Sequence, residues 1–358
     1  MRDDFGQAAI DPYTPTTPTN LENVNYFSTG PDLFMRLGGI NFIRVSARYA
    51  RADYGTSPYN SNRLLGSVAL GRDVSAGSSV SLNGDFERVM FANTVLNTDF
   101  DRTSAFARYE VHGARTDFKA DLGATRVSQA GTSTTSSSHG AGTELTGDSG
   151  ATTVSEAGTS TTGSLAKFEL SRQLSARAKL TLAAGHDLTD AAASFSAQQG
   201  GAIGAISSAP AALTSNNYTT NYASLAWQYL FHRTSMRFTA RWERDIYPGQ
   251  PTLDLKRPGA EFNLERRLTR AFTAQLLGRW YKTDYPHALV ETAAGSSNYD
   301  DGLLGGALIW RHGRGLEIRM RYDHASHLVS EGNTGYTENR VFLTIGYRPN
   351  SAPAQEPQ

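Results

Sequence analysis

Few residues in this chain have types and spacings that suit chemistry. Its histidines are His112, His139, His186, His232, His287, His312, His324 and His327, and it has no cysteine. Thiolate metal sites, cysteine nucleophiles and disulfides are therefore excluded. His324 and His327, in the run HASH, would face opposite sides of a strand and could not share a metal there. A serine nucleophile needs a histidine on the same face of a neighbouring strand. Ser224 and His186 fall on candidate neighbours, but alternation puts His186 on the apolar phase with Leu182 and Ala184, and no G-x-S-x-G elbow occurs. The acidic runs NTDFD (97–101) and NYDDG (298–302) offer the oxygen ligands calcium takes, yet they read as solvated outer loops. The sequence reads as a non-enzyme with no cofactor and no metal.

The remaining charges are regularly spaced, and that spacing defines the elements carrying them. Met236, Phe238, Ala240 and Trp242 alternate with Arg237, Thr239, Arg241, Glu243 and Asp245. Leu316, Ile318, Met320 and Tyr322 alternate in the same way with Glu317, Arg319, Arg321 and Asp323. A two-residue period is that of a strand with unlike faces, whereas a helix would spread these charges around its circumference. The pattern predicts strands near 32–37, 40–52, 61–71, 78–88, 100–112, 115–127, 164–172, 177–187, 218–230, 235–246, 259–267, 270–283, 301–311, 315–325 and 337–348, with 21–27 a possible further strand. Connections alternate between short, as at Gly38-Gly39, and long, as at 128–163 and 188–217. Tight turns at one end and long loops at the other are the bookkeeping of an outer-membrane barrel.

Composition agrees. Hydrophobic residues are 39% and charged residues 19% of 358, mean hydropathy is −0.42, and no apolar run reaches the ~18 residues a spanning helix needs. Lys+Arg and Asp+Glu both number 34, so bulk positive charge for nucleic acid is missing. The predicted fold is an all-β, transmembrane, antiparallel up-and-down barrel of about 16 strands (14–16), with short periplasmic turns and long outer loops, in a Gram-negative outer membrane. The barrel spans 28–349 as one domain, its first and last strands pairing because lipid leaves no open edge unsatisfied. Residues 1–27 read as a lead-in that could include a first strand, unpaired over 1–20, and 350–358 read as a disordered tail. Met1 to Phe5 do not read as a secretory signal, so an exported protein would be met here in processed form.

With the apolar face against lipid, the polar face lines an enclosed interior. Candidate lining charges are Arg44, Arg48, Asp85, Glu87, Arg108, Glu110, Asp117, Lys119, Asp121, Arg237, Arg241, Glu243, Asp245, Glu261, Arg279, Glu317, Arg319, Arg321, Asp323 and Arg340. They either order water and select polar solutes or sugars, or cross-link neighbouring strands at ~0.2–1 kcal/mol per pair. Two aromatic belts are expected at the lipid interfaces: Tyr109, Trp227, Tyr229, Trp310 and Tyr347 towards the short turns, and Tyr49, Trp242, Trp280 and Tyr322 towards the long loops. Inward-phase Phe106, Tyr222, Tyr281 and Phe342 are candidates for stacking on sugar rings or for plain lumen filling. The Ser/Thr/Gly-rich loop 128–163 reads as a solvated excursion, while the more apolar 188–217 could fold inward as a constriction. The partners implied are outer-membrane lipid and lipopolysaccharide, with no nucleic acid.

Several stretches carry a resemblance. STGPDLFMRLGG, SPYNSNRLLGSVALGRDVSAGSSVSLNGDFERV, NTDFDRTSAFARYEVHGARTDFKADLGATRV, SLAKFELSRQLSARAKLTLAAGHDLTDAAASF and the closing ENRVFLTIGYRP resemble an outer-membrane protein family associated with PEP-CTERM/exosortase systems, itself similar to the β-barrel porins linked to exopolysaccharide loci. The resemblance runs from about residue 28 to 349, broken by the Ser/Thr loop. It implies a barrel working beside exopolysaccharide production or export, with exopolysaccharide or its export machinery as partner, and it carries no catalytic residues.

Overall fold

The alternating segments form strands in a computed structural model that describes residues 1–9, 20–129, 133–136, 152–155, 160–194, 216–287, 298–312, 315–329 and 335–347. In order these are β1 Arg2–Ala9, β2 Leu21–Thr29, β3 Asp32–Leu37, β4 Asn41–Tyr54, β5 Ser61–Ser75, β6 Ser78–Phe91, β7 Phe100–His112, β8 Thr116–Gln129, β9 Ser133–Ser136 and β10 Thr152–Ser155. There follow β11 Ser160–Ser175, β12 Ala178–Thr189, β13 Tyr218–Leu230, β14 Thr234–Ile246, β15 Leu255–Arg267, β16 Phe272–Thr283, β17 Tyr299–His312, β18 Leu316–Val329 and β19 Tyr336–Tyr347. β9 and β10 form a separate ribbon; the other 17 strands make one sheet. Most of the 128–163 loop, the greater part of 188–217 and the 350–358 tail lie outside the described residues.

Each strand pairs antiparallel with its neighbour in an up-and-down wall, with β8 meeting β11 across the longest loop. β2 and β3 lie end to end along one edge of β4, Val24–Thr29 against Tyr54–Tyr49 and Asp32–Leu37 against Ser46–Asn41. The 17 strands therefore form a wall about sixteen strands across. The Gly30-Pro31 step between them needs its glycine, because a Cβ there would sit 2.0 Å from the Ala47 carbonyl oxygen. Arg48 binds the exposed carbonyls of Gly30 (2.7 Å) and Pro31 (3.0 Å) and pairs with Asp32. In the three-residue β3–β4 turn, 38–40, Gly38 and Gly39 have φ of +64° and +83°, left-handed backbone that glycine adopts without strain.

Two expectations are corrected here. Residues 2–9 are not an unpaired lead-in: β1 pairs with β2 from Arg2↔Ser28 to Ala9↔Leu21. β1 thus runs beside β2 and stops before β3 begins, and among the described residues no ladder joins it to β19. Among the described residues the expected ladder between first and last strands is not seen, and β1 flanks only the outer stretch of the edge that β2 and β3 share.

Burial decides which face meets lipid. On β6 the outward Val80, Leu82 and Phe86 are 45%, 63% and 43% exposed, whereas the alternate Ser81, Asn83 and Glu87 are buried. Exposed apolar groups around buried polar ones invert the arrangement of a water-soluble core. All nine interface aromatics lie on the outward phase; the register sets Tyr49 beside Leu64, Trp227 beside Leu180, and Tyr322 beside Val341.

The polarity of the two faces switches towards the long-loop end. Along β4, outward Tyr49 is followed by outward Arg51 and Asp53, which pair with each other at 2.8 Å, while the inward series becomes Ala50, Ala52 and Tyr54, all buried. On β6 and β7 outward Arg88 pairs with outward Asp101 at 2.8 Å, and inward Val89, Phe91 and Phe100 form a core with Val127 and Leu188. The strands therefore continue beyond the lipid band, where outward positions meet water. This corrects the expectation of one polar inward face. It also explains why strands end beyond their predicted limits, β6 at Phe91 and β18 at Val329. β17 likewise starts at Tyr299, inside the NYDDG run read as a loop.

Candidate functional site in the lumen

All twenty predicted lining charges lie on the inward phase of their strands, and the fold brings most of them into pairs. Arg108 meets Asp121 through two bonds of 2.7 and 3.0 Å, and Glu110 lies 4.0 Å from both Arg108 and Lys119. Arg241 pairs with Glu243 at 3.2 Å, beside buried Asp245. Arg321 pairs with Asp323 at 2.7 Å, Glu317 with Arg311 at 2.9 Å and with Arg319 at 3.5 Å, and Arg340 with Glu338. Asp117 reaches His112 at 3.3 Å. Arg44 and Arg279 lie over the rings of Phe34 and Tyr281 at 5.8 Å, and Tyr281 donates to Glu261. Arg237, set opposite Gln228 and Asn263, joins none of these pairs.

The tightest cluster joins the predicted Glu87 to three residues that were not on the list. Arg63 on β5 is 1% exposed and bonds both Glu87 on β6 (3.0 Å) and Asp190 (2.5 and 3.3 Å). Arg102 on β7 also reaches Glu87 and lies 3.5 Å from Asp190. Asp190 follows β12 and opens a short helical turn, 191–194, that enters the lumen. Its carbonyl accepts the Ser194 N–H at 3.0 Å. Ala192 packs beside Ala8, Val24, Tyr26, Ala50, Ala52 and Tyr54, so the turn reaches the opposite wall. Burial opposes ionisation of Asp190, but Arg63 and Arg102 more than offset it and hold its carboxyl below the ordinary range. The described start of 188–217 thus does fold inward. Arg63 and Arg102 carried only one sequence signal, the inward parity they share with Leu65 and Arg108; Asp190, in a loop, carried none.

Below this latch lies a lumenal cavity of about 440 Å³. Its wall includes Arg48, Arg102, Arg108 and Lys167, each with a carboxylate partner, Lys167 to Asp187 at 2.5 Å. Ser46 and Ser67 bond at 2.6 Å, and Ser104 bonds Thr125 at 2.9 Å. Asp85 is exposed to the cavity and has no ion pair among the described residues.

Three of the four aromatics considered for sugar stacking are occupied otherwise. Phe106, Tyr222 and Tyr281 each lie against a register-paired glycine, Gly123, Gly185 and Gly259. A Cβ on those glycines would come within 2.5, 2.5 and 2.1 Å of the partner. Each ring also carries a guanidinium, Arg108 at 5.2 Å, Arg241 at 5.8 Å and Arg279 at 5.8 Å. For Tyr222 and Tyr281 a ring held against both glycine and guanidinium leaves little face for a ligand, while Gly123 meets the Cα and Cβ of Phe106; each pairing fixes register through packing. Phe342 alone stays 46% exposed.

Towards the long loops the second half of the wall carries an aromatic layer. Tyr218 stacks on Tyr247 at 4.7 Å, and His327 lies between Tyr299 (4.7 Å) and Tyr336 (5.6 Å) while bonding Asp301 at 2.7 Å. His324 faces outward, 2.9 Å from Asn339. The two histidines of HASH are thus on opposite faces.

No family model matches the chain, and no curated relative does. Solved structures do. The closed form of the ferric-catecholate import receptor Fiu from E. coli superposes with TM-score 0.56 at 11% identity, covering 93% of this chain and 59% of its own. The copper transporter OprC gives 0.57 at 11% identity, with 92% and 59% covered, and the FrpB iron transporter from Neisseria meningitidis 0.55 at 10%, with 97% and 61%. The fold is an outer-membrane β-barrel. This chain spans about three fifths of the length of those structures. The barrel's outward apolar band, bounded by charge, places it in the outer membrane of a Gram-negative bacterium.

Proposed function

We propose that the barrel gives passage to polar solutes or glycan through its charged lumen, closed at the long-loop end by the inward turn 191–194 in the state described here. The carrying observation is the bridge from Asp190 to Arg63 and Arg102, which ties an entering segment to the wall through charge beside the apolar contact of Ala192. A tie of this kind is released by removing one partner, at the cost of an uncompensated buried charge. The resemblance to the PEP-CTERM/exosortase-associated family supplies the setting, beside exopolysaccharide production or export. The three similar structures are an import receptor and two transporters, which accords with passage; their cargoes are not carried over.

The test is single-channel recording in planar bilayers after refolding in detergent. The native barrel is expected to open rarely, and Asp190→Ala to conduct at least tenfold more often. A second reading, a non-conducting structural barrel acting through its outer loops, is favoured by the packing of Ala192 into the opposite wall. It predicts silence from both proteins, and that result would remove the passage reading.

A further inference from the structure

We propose that the lumenal cavity beside Asp85 is a subsite for an ammonium-bearing polar solute, with an amino sugar as the fitting chemistry; this rests on the passage reading and names the solute class. The volume of about 440 Å³ lies within the ~300–1,000 Å³ usual for small-ligand sites. Its charge pattern is the argument. Every cation on the wall is already engaged: Arg48 with Asp32, Arg102 with Glu87 and Asp190, Arg108 with Asp121, Lys167 with Asp187. Asp85 is the carboxylate left over, and it faces the open space. An anion entering here meets cations that are each already paired with a carboxylate, while a cation finds an acceptor without an ion pair. Ser46, Ser67 and Ser104 on the same wall supply hydroxyls that both donate and accept. Ammonium on Asp85 with ring hydroxyls towards the serines is a pairing that a neutral sugar makes only in part and a uronic acid opposes.

The experiment is equilibrium binding by calorimetry to the refolded full chain in detergent, near pH 6 so that the amine (ordinarily titrating at about 7.7) is charged. The probes are the β-1,4 dimer of glucosamine, cellobiose and a digalacturonate. The glucosamine dimer is expected to bind about tenfold more tightly than cellobiose, and digalacturonate more weakly than either. Asp85→Asn should abolish the preference and Asp85→Glu should retain it, with both variants keeping native heat-modifiable gel migration. Equal affinities, tightest binding by digalacturonate, no binding by the glucosamine dimer, or a preference surviving in Asp85→Asn would each overturn the proposal. The readout needs no conductance, so a silent bilayer with selective binding would remove the passage reading and leave this site standing.

Discussion

The lower and upper stretches of β4 share one backbone geometry and one alternation, yet their faces have opposite chemistry. Below Tyr49 the outward residues are Ile43, Val45 and Ala47, with Arg44 and Arg48 inside; above it Arg51 and Asp53 point outward, with Ala50, Ala52 and Tyr54 inside. Alternation settles which side chains share a face, and the surroundings settle whether that face is apolar. In the lower stretch the hydrocarbon is outside. In the upper stretch water is outside, and the greasy partners are the inner faces of neighbouring β1 and β2 together with Ala192 of the entering segment.

The strongest test of that contrast acts where the two regimes meet. Arg63→Ala leaves Glu87 and Asp190 buried with Arg102 as the one remaining cation of the cluster and is expected to cost about 3–5 kcal/mol, read as a lower urea midpoint for unfolding from vesicles. If the loss is near zero, the upper packing does not depend on the latch. Next, Leu82→Arg places a charge within the lipid band and should cost about 2–4 kcal/mol in the same assay. Arg88→Leu, three positions up the same outward face, should cause no measurable loss; equal effects would mean the band does not end between them. Smaller again, Gly123→Ala drives a Cβ to 2.1 Å from the Ala105 carbonyl and should cost about 1–3 kcal/mol. At Gly84, where the space is open, the same change should stay within about 0.5 kcal/mol. The mildest is a pH response. Asp190 titrates below the ordinary carboxylate range, so its contribution is complete above that range and fades only as pH falls through its lowered value. Channel opening, scored in bilayers, should stay rare through mildly acidic pH and rise below it, and Asp190→Asn should remove that dependence.

Much of the wall was legible because lipid imposes a period of two, and that period survives in single strands such as Met236 to Asp245. The number of strands across the wall was foreseen although its make-up was not: 32–37 counts with 21–29 as one position, and 2–9 supplies another. Strand limits were misread where the inversion makes outward Arg51 and Arg88 resemble loop residues. The lining charges could be found from parity, since parity fixes direction. Asp190 could not, because nothing local in a loop records that it will fold back between two arginines on strands more than eighty residues earlier in the chain. The glycine joints were equally hidden, since a glycine opposite a ring becomes visible only once the register is known.

The upper stretch has one further consequence. A strand of 14 residues such as β17, rising about 3.3 Å per residue and tilted as barrel strands are, stands about 35 Å tall against an apolar band of about 25 Å. The excess is a stiff hydrogen-bonded collar around the entrance, so a molecule approaching from outside the cell meets fixed β-wall before it meets any membrane.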